Sequence, residues 1–422
     1  MNKLYINYSP SSIIEDNGST DLKFLGIKST ENRKLKVLIY SDYPYNDLDF
    51  QRGGIINAVY WLVQGLSRIN AMELFVLTPC KHIKEKITKS IGNTTVIYHP
   101  LYNRGYDPLT LYRGSIRSLS EEISKIKPDI VHAQHLPDHI YAAIKSKIPH
   151  VITIHGVFKN EYEVAKYRFN IRDRIKKVIA QNTEIYYLKK IKNLIAITEE
   201  IEHLARNNNP KTQIYRINNA IDDNYFDIID KSNSNKPIIL FVAAITYRKG
   251  LHYLIEAVEL LKKYVPNVQL RIAGMADWDS EYVQMIKKKW AESIDSGLIC
   301  FLGGISQERL YEEFSICSVF SLPSLAESAP MVIAQASASG KPVVATRIGG
   351  IPNMINNGVN GYLVEPENVN DLFAALKNIF VDESHRIELG MHARSSAKEM
   401  YSTNAIANAT FNAYTDILRR EK

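Results

Sequence analysis

Three cysteines in 422 residues, Cys80, Cys300 and Cys317, are too few and too scattered for a disulfide framework or a thiolate metal site, and they fit a reducing compartment. The sequence lacks an apolar run of about 18 residues, so no membrane-spanning helix is expected. Its opening, "MNKLYINYSPSSIIEDNGSTDLK", lacks the charge-then-apolar order of a signal peptide. No short-period repeat is present. Charge of one sign is in only moderate excess, +7 formally, and no nucleic-acid-binding motif accompanies it, so nucleic acid is not an expected partner. The excess is densest in 166–193, "KYRFNIRDRIKKVIAQNTEIYYLKKIKN", where Lys and Arg stand among Tyr, Ile, Val and Leu. That segment reads either as a solvated helix with its aliphatic side packed inward or as a peripheral contact with an anionic membrane surface. The expected location is the cytoplasm, with the inner face of the membrane as the alternative that the basic segment raises.

Length and apolar content, 45% of residues, suffice for two ordinary cores. From Lys34 onward short apolar runs alternate with amphipathic helical stretches: "KVLIYSD", then "GGIINAVYWLVQGLSRI", then "ELFVLTP", and later "PDIVHAQ", "HVITIHG" and "NLIAITEE". Such alternation predicts a parallel sheet covered on both faces. The polar, Ser/Asn-rich stretch after Phe226 interrupts it, and the alternation then restarts at "IILFVAA". The expected organisation is an irregular extension at 1–33, a doubly wound Rossmann-like domain at 34–226 and a linker at 227–236. A second such domain follows at 237–400, and a closing helix at 401–422 packs back on the first. Ligands of these folds sit beyond the carboxyl ends of strands, so both domains should point their loops into one cleft.

The densest chemistry lies in "VFSLPSLAESAPMVIAQASASGKPVVATRIGGIPNMI". Glu327 follows a strand, Pro330 opens a helix, and Gly340 and Pro342 end it. A helix start with unpaired N–H groups favours an anion such as a diphosphate. Glu327, an acceptor when ionised, suits sugar hydroxyls instead. Gln335, eight residues later and about 80° round the helix, is placed to meet another part of the same ligand.

The run 320–366 resembles the donor-binding signature of glycosyltransferase family 4, and the resemblance extends over nearly everything from Lys34 onward. It implies the GT-B fold, two Rossmann-like domains facing across a cleft, and a retaining transfer of sugar from a nucleotide-diphosphate donor. By that resemblance Glu327 meets the donor sugar, while the family's second Glu, the one on the ribose, is replaced here by Gln335. In "AAITYRKG" Lys249 matches the family's diphosphate-gripping Lys; the Arg place holds Ala244, with Arg248 as substitute. "GGIINAV" gives Gly53 and Gly54 as the glycine turn after the first strand, and His155 of "ITIHG" matches the cleft histidine. Gly303 and Ile305 of "FLGGI" match the loop near the base, and Ala329, Pro330 and Met331 the helix start. The implied catalytic set is His155, Lys249 and Glu327. The implied co-substrate is a UDP- or GDP-sugar with no resident cofactor and no metal, the Asp-x-Asp strings at 47 and 277 standing outside any metal-diphosphate context.

The implied acceptor is a glycan, a lipid-linked glycan or a small metabolite, held by the first domain, with surface-polysaccharide or lipid-linked glycan assembly as the setting. Two other readings stay open. A nucleotide-sugar epimerase shares the architecture but needs flanking general acids and bases, for which one histidine and one glutamate are a thin set. A non-catalytic partner that binds a nucleotide-sugar is motivated by Gln335 and Ala244.

Overall fold

The computed structural model describes residues 33–46, 54–80, 83–100, 113–134, 137–156, 185–278 and 280–421. Gly53 and most of the basic 166–193 segment therefore lie outside the described residues.

The chain forms two α/β domains, each on its own sheet. The first sheet comprises β1 (Leu35–Tyr40), β2 (Met72–Cys80), β3 (Ile87–Ile91), β4 (Thr94–Pro100), β5 (Ile130–Gln134), β6 (His150–Ile154), β7 (Asn193–Ala196) and β8 (Gln213–Arg216). Their spatial order is β3-β4-β2-β1-β5-β6-β7-β8. All neighbours pair in parallel except β3, which runs antiparallel to β4. The central strands are buried along their whole length, as in β5 and β6, which is why they read as unbroken apolar runs.

The second sheet comprises β9 (Ile238–Val242), β10 (Gln269–Ala273), β11 (Ile299–Gly303), β12 (Val319–Leu322), β13 (Val343–Thr346) and β14 (Gly361–Val364), in the order β11-β10-β9-β12-β13-β14. Every pairing in it is parallel. In each sheet the strand order reverses once, between β1 and β5 in the first and between β9 and β12 in the second. These are the points where the loops part and leave a crevice.

Two local features differ from the sequence reading. The β3–β4 hairpin turns at Gly92, whose φ is 58°, and was not anticipated. The segment after β10 carries two helices, Glu281–Lys289 and Ala291–Asp295, where the restarted strand-helix alternation expects one. Trp290 separates them at φ −117°; its indole is buried and donates to Glu259 Oε2 at 2.9 Å.

The chain passes between the domains twice. It first runs from β8 through Ile217–Asp222 toward β9, and it returns where the helix Glu383–Tyr401 gives way to the helix Thr403–Arg420. The last helix leaves the second core and contributes Ile406, Ala407, Ala413, Tyr414 and Ile417 to the core of the first sheet. The two passages touch: Ile221 N donates to Tyr401 O at 3.0 Å, and Asn218 Nδ2 to Met400 O at 3.3 Å. Asp223 accepts from the Thr403 amide at 3.0 Å, from its hydroxyl, and from Arg68 at 3.2 Å. Among the described residues no helix is long and apolar enough to cross a membrane.

Candidate functional site

A cavity of about 480 Å³ lies between the carboxyl ends of the two sheets. The first domain supplies Gly54, Ile55, Asn57, His155, Gly156 and Asn219, and the second supplies the loops after β9 and β12 with the first turns of the helix Met331–Ala338. Gly54 faces Met331 across the gap; a Cβ on the glycine would stand 3.8 Å from the methionine sulfur.

Lys249 ends a short 3-10 turn, Tyr247–Lys249, and Gly250 follows it at φ 68°. A Cβ at Gly250 would lie 1.9 Å from Pro323 O, so only glycine lets the β9 loop lie directly on the β12 loop. The contact is reinforced by Leu325 N donating to Arg248 O at 2.7 Å and by the Arg248 guanidinium donating to Ala326 O at 3.0 Å. Lys249 is thereby set against Glu327, and the two form an ion pair with side chains 15% and 8% exposed. Ser324 Oγ donates to the same carboxylate oxygen, Oε1, at 2.8 Å. Behind the loop, Gly349 at φ 48° brings its backbone so close to Glu327 that a Cβ would stand 1.7 Å from the Glu327 carbonyl oxygen.

The helix Met331–Ala338 starts directly after Pro330, which holds the cap position at φ −68° and ψ 110°. No side chain caps it, and its opening residues line the cavity. The start therefore presents the partial positive charge of a helix N-terminus to whatever occupies the cleft. Gln335, one turn further along, also lines the cavity, as does Ala244 at the place where the resemblance implies an Arg.

On the opposite wall His155 follows β6, and its Nε2–H donates to Gln134 Oε1 at 2.7 Å. Gln134 ends β5 and its amide lies 3.0 Å from His132 Nε2. Burial pushes His132 down to about 3, so that ring is neutral at ordinary pH.

The structure thus brings Gly54, His155, Ala244, Arg248, Lys249, Glu327, Ala329, Pro330, Met331 and Gln335 to one cavity. Gly303 and Ile305 do not line it; they sit at and just beyond the carboxyl end of β11, where Gly303 O accepts from Gly274 N at 2.8 Å. Of the two Asp-x-Asp strings, only Asp277 is among the described residues. Sequence reasoning missed Ser324, Gly250, Gly349, Gln134 and Asn219. The Gly-Gly pair of "RIGGIP" was a usable signal for Gly349, and the Pro-Ser after β12 for Ser324.

Two family models account for most of the chain: "Glycosyltransferase Family 4" matches residues 52–225 and "Glycosyl transferases group 1" matches 225–396. An uncharacterized glycosyltransferase of Methanocaldococcus jannaschii is 28% identical over 315 residues, 68% of this chain and 75% of that protein. Two D-inositol 3-phosphate glycosyltransferases, of Pseudarthrobacter chlorophenolicus and Corynebacterium kroppenstedtii, are matched over only 43% and 41% of their own length. Among solved structures, a sucrose-phosphate synthase from Thermosynechococcus elongatus superposes with a TM-score of 0.73 at 18% identity, covering 92% of this chain and all of that one. The Anabaena protein HepE, in complex with UDP and glucose, superposes with a TM-score of 0.64 at 16% identity, covering 90% and 100%. At such identities the superpositions establish the GT-B architecture. With its two halves matched in succession and its cleft built where those halves meet, the chain belongs to glycosyltransferase family 4.

Proposed function

We propose that the protein transfers a sugar from a nucleotide-diphosphate sugar to an acceptor hydroxyl with retention of anomeric configuration. The observation that carries the reading is the meeting of Lys249 and Glu327. They follow β9 and β12, the two strands that flank the reversal point of the second sheet, and they share one cavity with an uncapped helix start. The cavity's size falls in the range of small-molecule sites. In this reading the diphosphate lies at the helix start with Lys249 beside it, and Glu327 accepts from sugar hydroxyls. Negative charge grows on the leaving phosphate as the glycosidic bond breaks, and a cation already drawn to the diphosphate on donor binding, with the helix N-terminus beside it, stabilises that charge without further movement during the step. The departing phosphate oxygen takes the acceptor's proton as the acceptor oxygen attacks from the same face. His155 borders the sugar from the first domain.

We assign the acceptor, a glycan, a lipid-linked glycan or a small metabolite, to the first domain's loops and the reaction to the cytoplasm, with the basic 166–193 segment as the candidate contact with the inner face of the membrane. UDP- or GDP-sugars are the assigned donors; the likeness to HepE with UDP and glucose supports the nucleotide-sugar class. A thermal-shift panel of UDP-, GDP- and ADP-sugars tests the reading, since a bound donor stabilises the fold by mass action. Stabilisation by one nucleotide class, followed by acceptor-dependent consumption of that donor, supports it. No shift with any of them overturns it, conversion of donor without acceptor assigns an epimerase, and tight binding without turnover assigns a non-catalytic partner.

A further inference from the structure

We propose that Lys249 and Glu327 form a latch that a sugar-bearing nucleotide opens readily and a bare nucleoside diphosphate opens only at a cost, so that the pair selects donor over spent product. The inference rests on the donor-cleft reading above and adds to it a source of discrimination.

In the protein as it stands the two side chains satisfy each other on the cavity wall, both largely shielded from water. Each is wanted elsewhere once a donor arrives: the ammonium by the diphosphate, the carboxylate by sugar hydroxyls. A cation already paired with a carboxylate offers an incoming anion little net charge. To bind a diphosphate strongly, Lys249 must turn away from Glu327. That leaves a nearly buried carboxylate beside a newly bound anion, with the Ser324 hydroxyl still donating to it. A carboxylate left uncompensated in such a place is expensive. A nucleotide-sugar brings hydroxyl donors to that carboxylate, and a nucleoside diphosphate brings none. After transfer the hydroxyls depart with the new glycoside, the pair re-forms, and the diphosphate loses its cation. The latch therefore favours donor entry and product exit with the same two residues.

The test is calorimetric titration of the full chain with UDP and UDP-glucose, and with GDP and GDP-mannose as a second pair. It compares wild type, Glu327→Gln and Ser324→Ala. Glu327→Gln abolishes the ion pair but still accepts a hydroxyl, so the nucleoside diphosphate should bind about tenfold tighter while the nucleotide-sugar changes by less than about threefold. Ser324→Ala should act in the opposite sense, weakening the diphosphate severalfold relative to the sugar nucleotide, because the opened carboxylate then lacks its remaining donor. If Glu327→Gln tightens both ligands alike, the carboxylate acts by simple charge repulsion and the latch is wrong; if it tightens neither, Lys249 is not held back by Glu327. Should Glu327→Gln fail to fold, the direction of the Ser324→Ala effect decides. A wild-type protein that binds none of the four ligands refutes the donor-cleft reading itself, a result distinct from the others.

Discussion

His132 Nδ1 stands 2.7 Å from the hydroxyl of Tyr414, a residue 282 positions further along the chain. Both side chains are fully buried, one on β5 and the other on the last helix. On its other side the ring meets the Thr153 hydroxyl at 2.7 Å and the Gln134 amide at 3.0 Å, and Gln134 in turn holds His155. A polar thread thus joins the C-terminal helix to the cleft wall through the apolar interior.

Removing one end of that thread should be felt as an unsatisfied buried group. Tyr414→Phe is expected to cost about 1–3 kcal/mol of folding stability. Urea denaturation followed by circular dichroism measures it; an unchanged midpoint would mean that the hydroxyl contributes nothing.

The same ring makes stability pH-dependent. Burial lowers His132 from an ordinary 6.5 to about 3, and His150 shifts down for the same reason. Between those values the unfolded chain takes up a proton that the folded ring refuses. The stabilising contribution is therefore complete above about pH 6.5 and declines as pH falls, by on the order of 1 kcal/mol per pH unit for His132. Denaturant midpoints from pH 8 to pH 4.5 should show this fall, and His132→Gln should flatten it.

Lys249→Ala should lower kcat/KM by about 10²- to 10³-fold, the usual consequence of losing one fixed stabiliser of a developing negative charge. Steady-state kinetics with the donor found in the thermal-shift panel measures this, and near-normal turnover would remove Lys249 from the leaving-group role.

Gln335→Glu restores a charged acceptor at the position that the family resemblance assigns to the ribose hydroxyls. Donor affinity should rise by about fivefold, the difference between a neutral and a charge-assisted hydrogen bond. Titration with the donor measures the change, and unaltered affinity would show that Gln335 does not touch the ribose.

Gly250→Ala should destabilise the second domain by more than about 1 kcal/mol, because a side chain there is strained at φ 68° and collides with Pro323 O. Thermal melting of the variant reads this directly.

How much of this was legible in the sequence depended on whether a feature is local. Buried parallel strands announce themselves as apolar runs, so β1, β2, β5, β6, β7, β9 and β12 were readable. The edge strand β3 is mostly exposed, and "ITKSI" carries no periodic signal to betray it. Glu327, Lys249 and His155 were found by motif and by their places at strand ends. Their partners were not, because partnership is set by the sheet: Gln134 reaches His155 only because β5 and β6 are neighbours with Gln134 opposite Thr153. Lys249 and Glu327 are 78 residues apart, and only the reversal of strand order between β9 and β12 makes them touch. Gly303 and Ile305 show the converse, local motif residues that the fold leaves off the cavity wall.

The two passages of chain between the domains run side by side, fastened by Ile221 to Tyr401 and by Asp223 to Thr403. A single tether would leave one lobe free to swivel in any direction, whereas two adjacent ones act as a hinge with one preferred axis. Gly54 and Met331, which face each other across the gap, lie on opposite sides of that double tether.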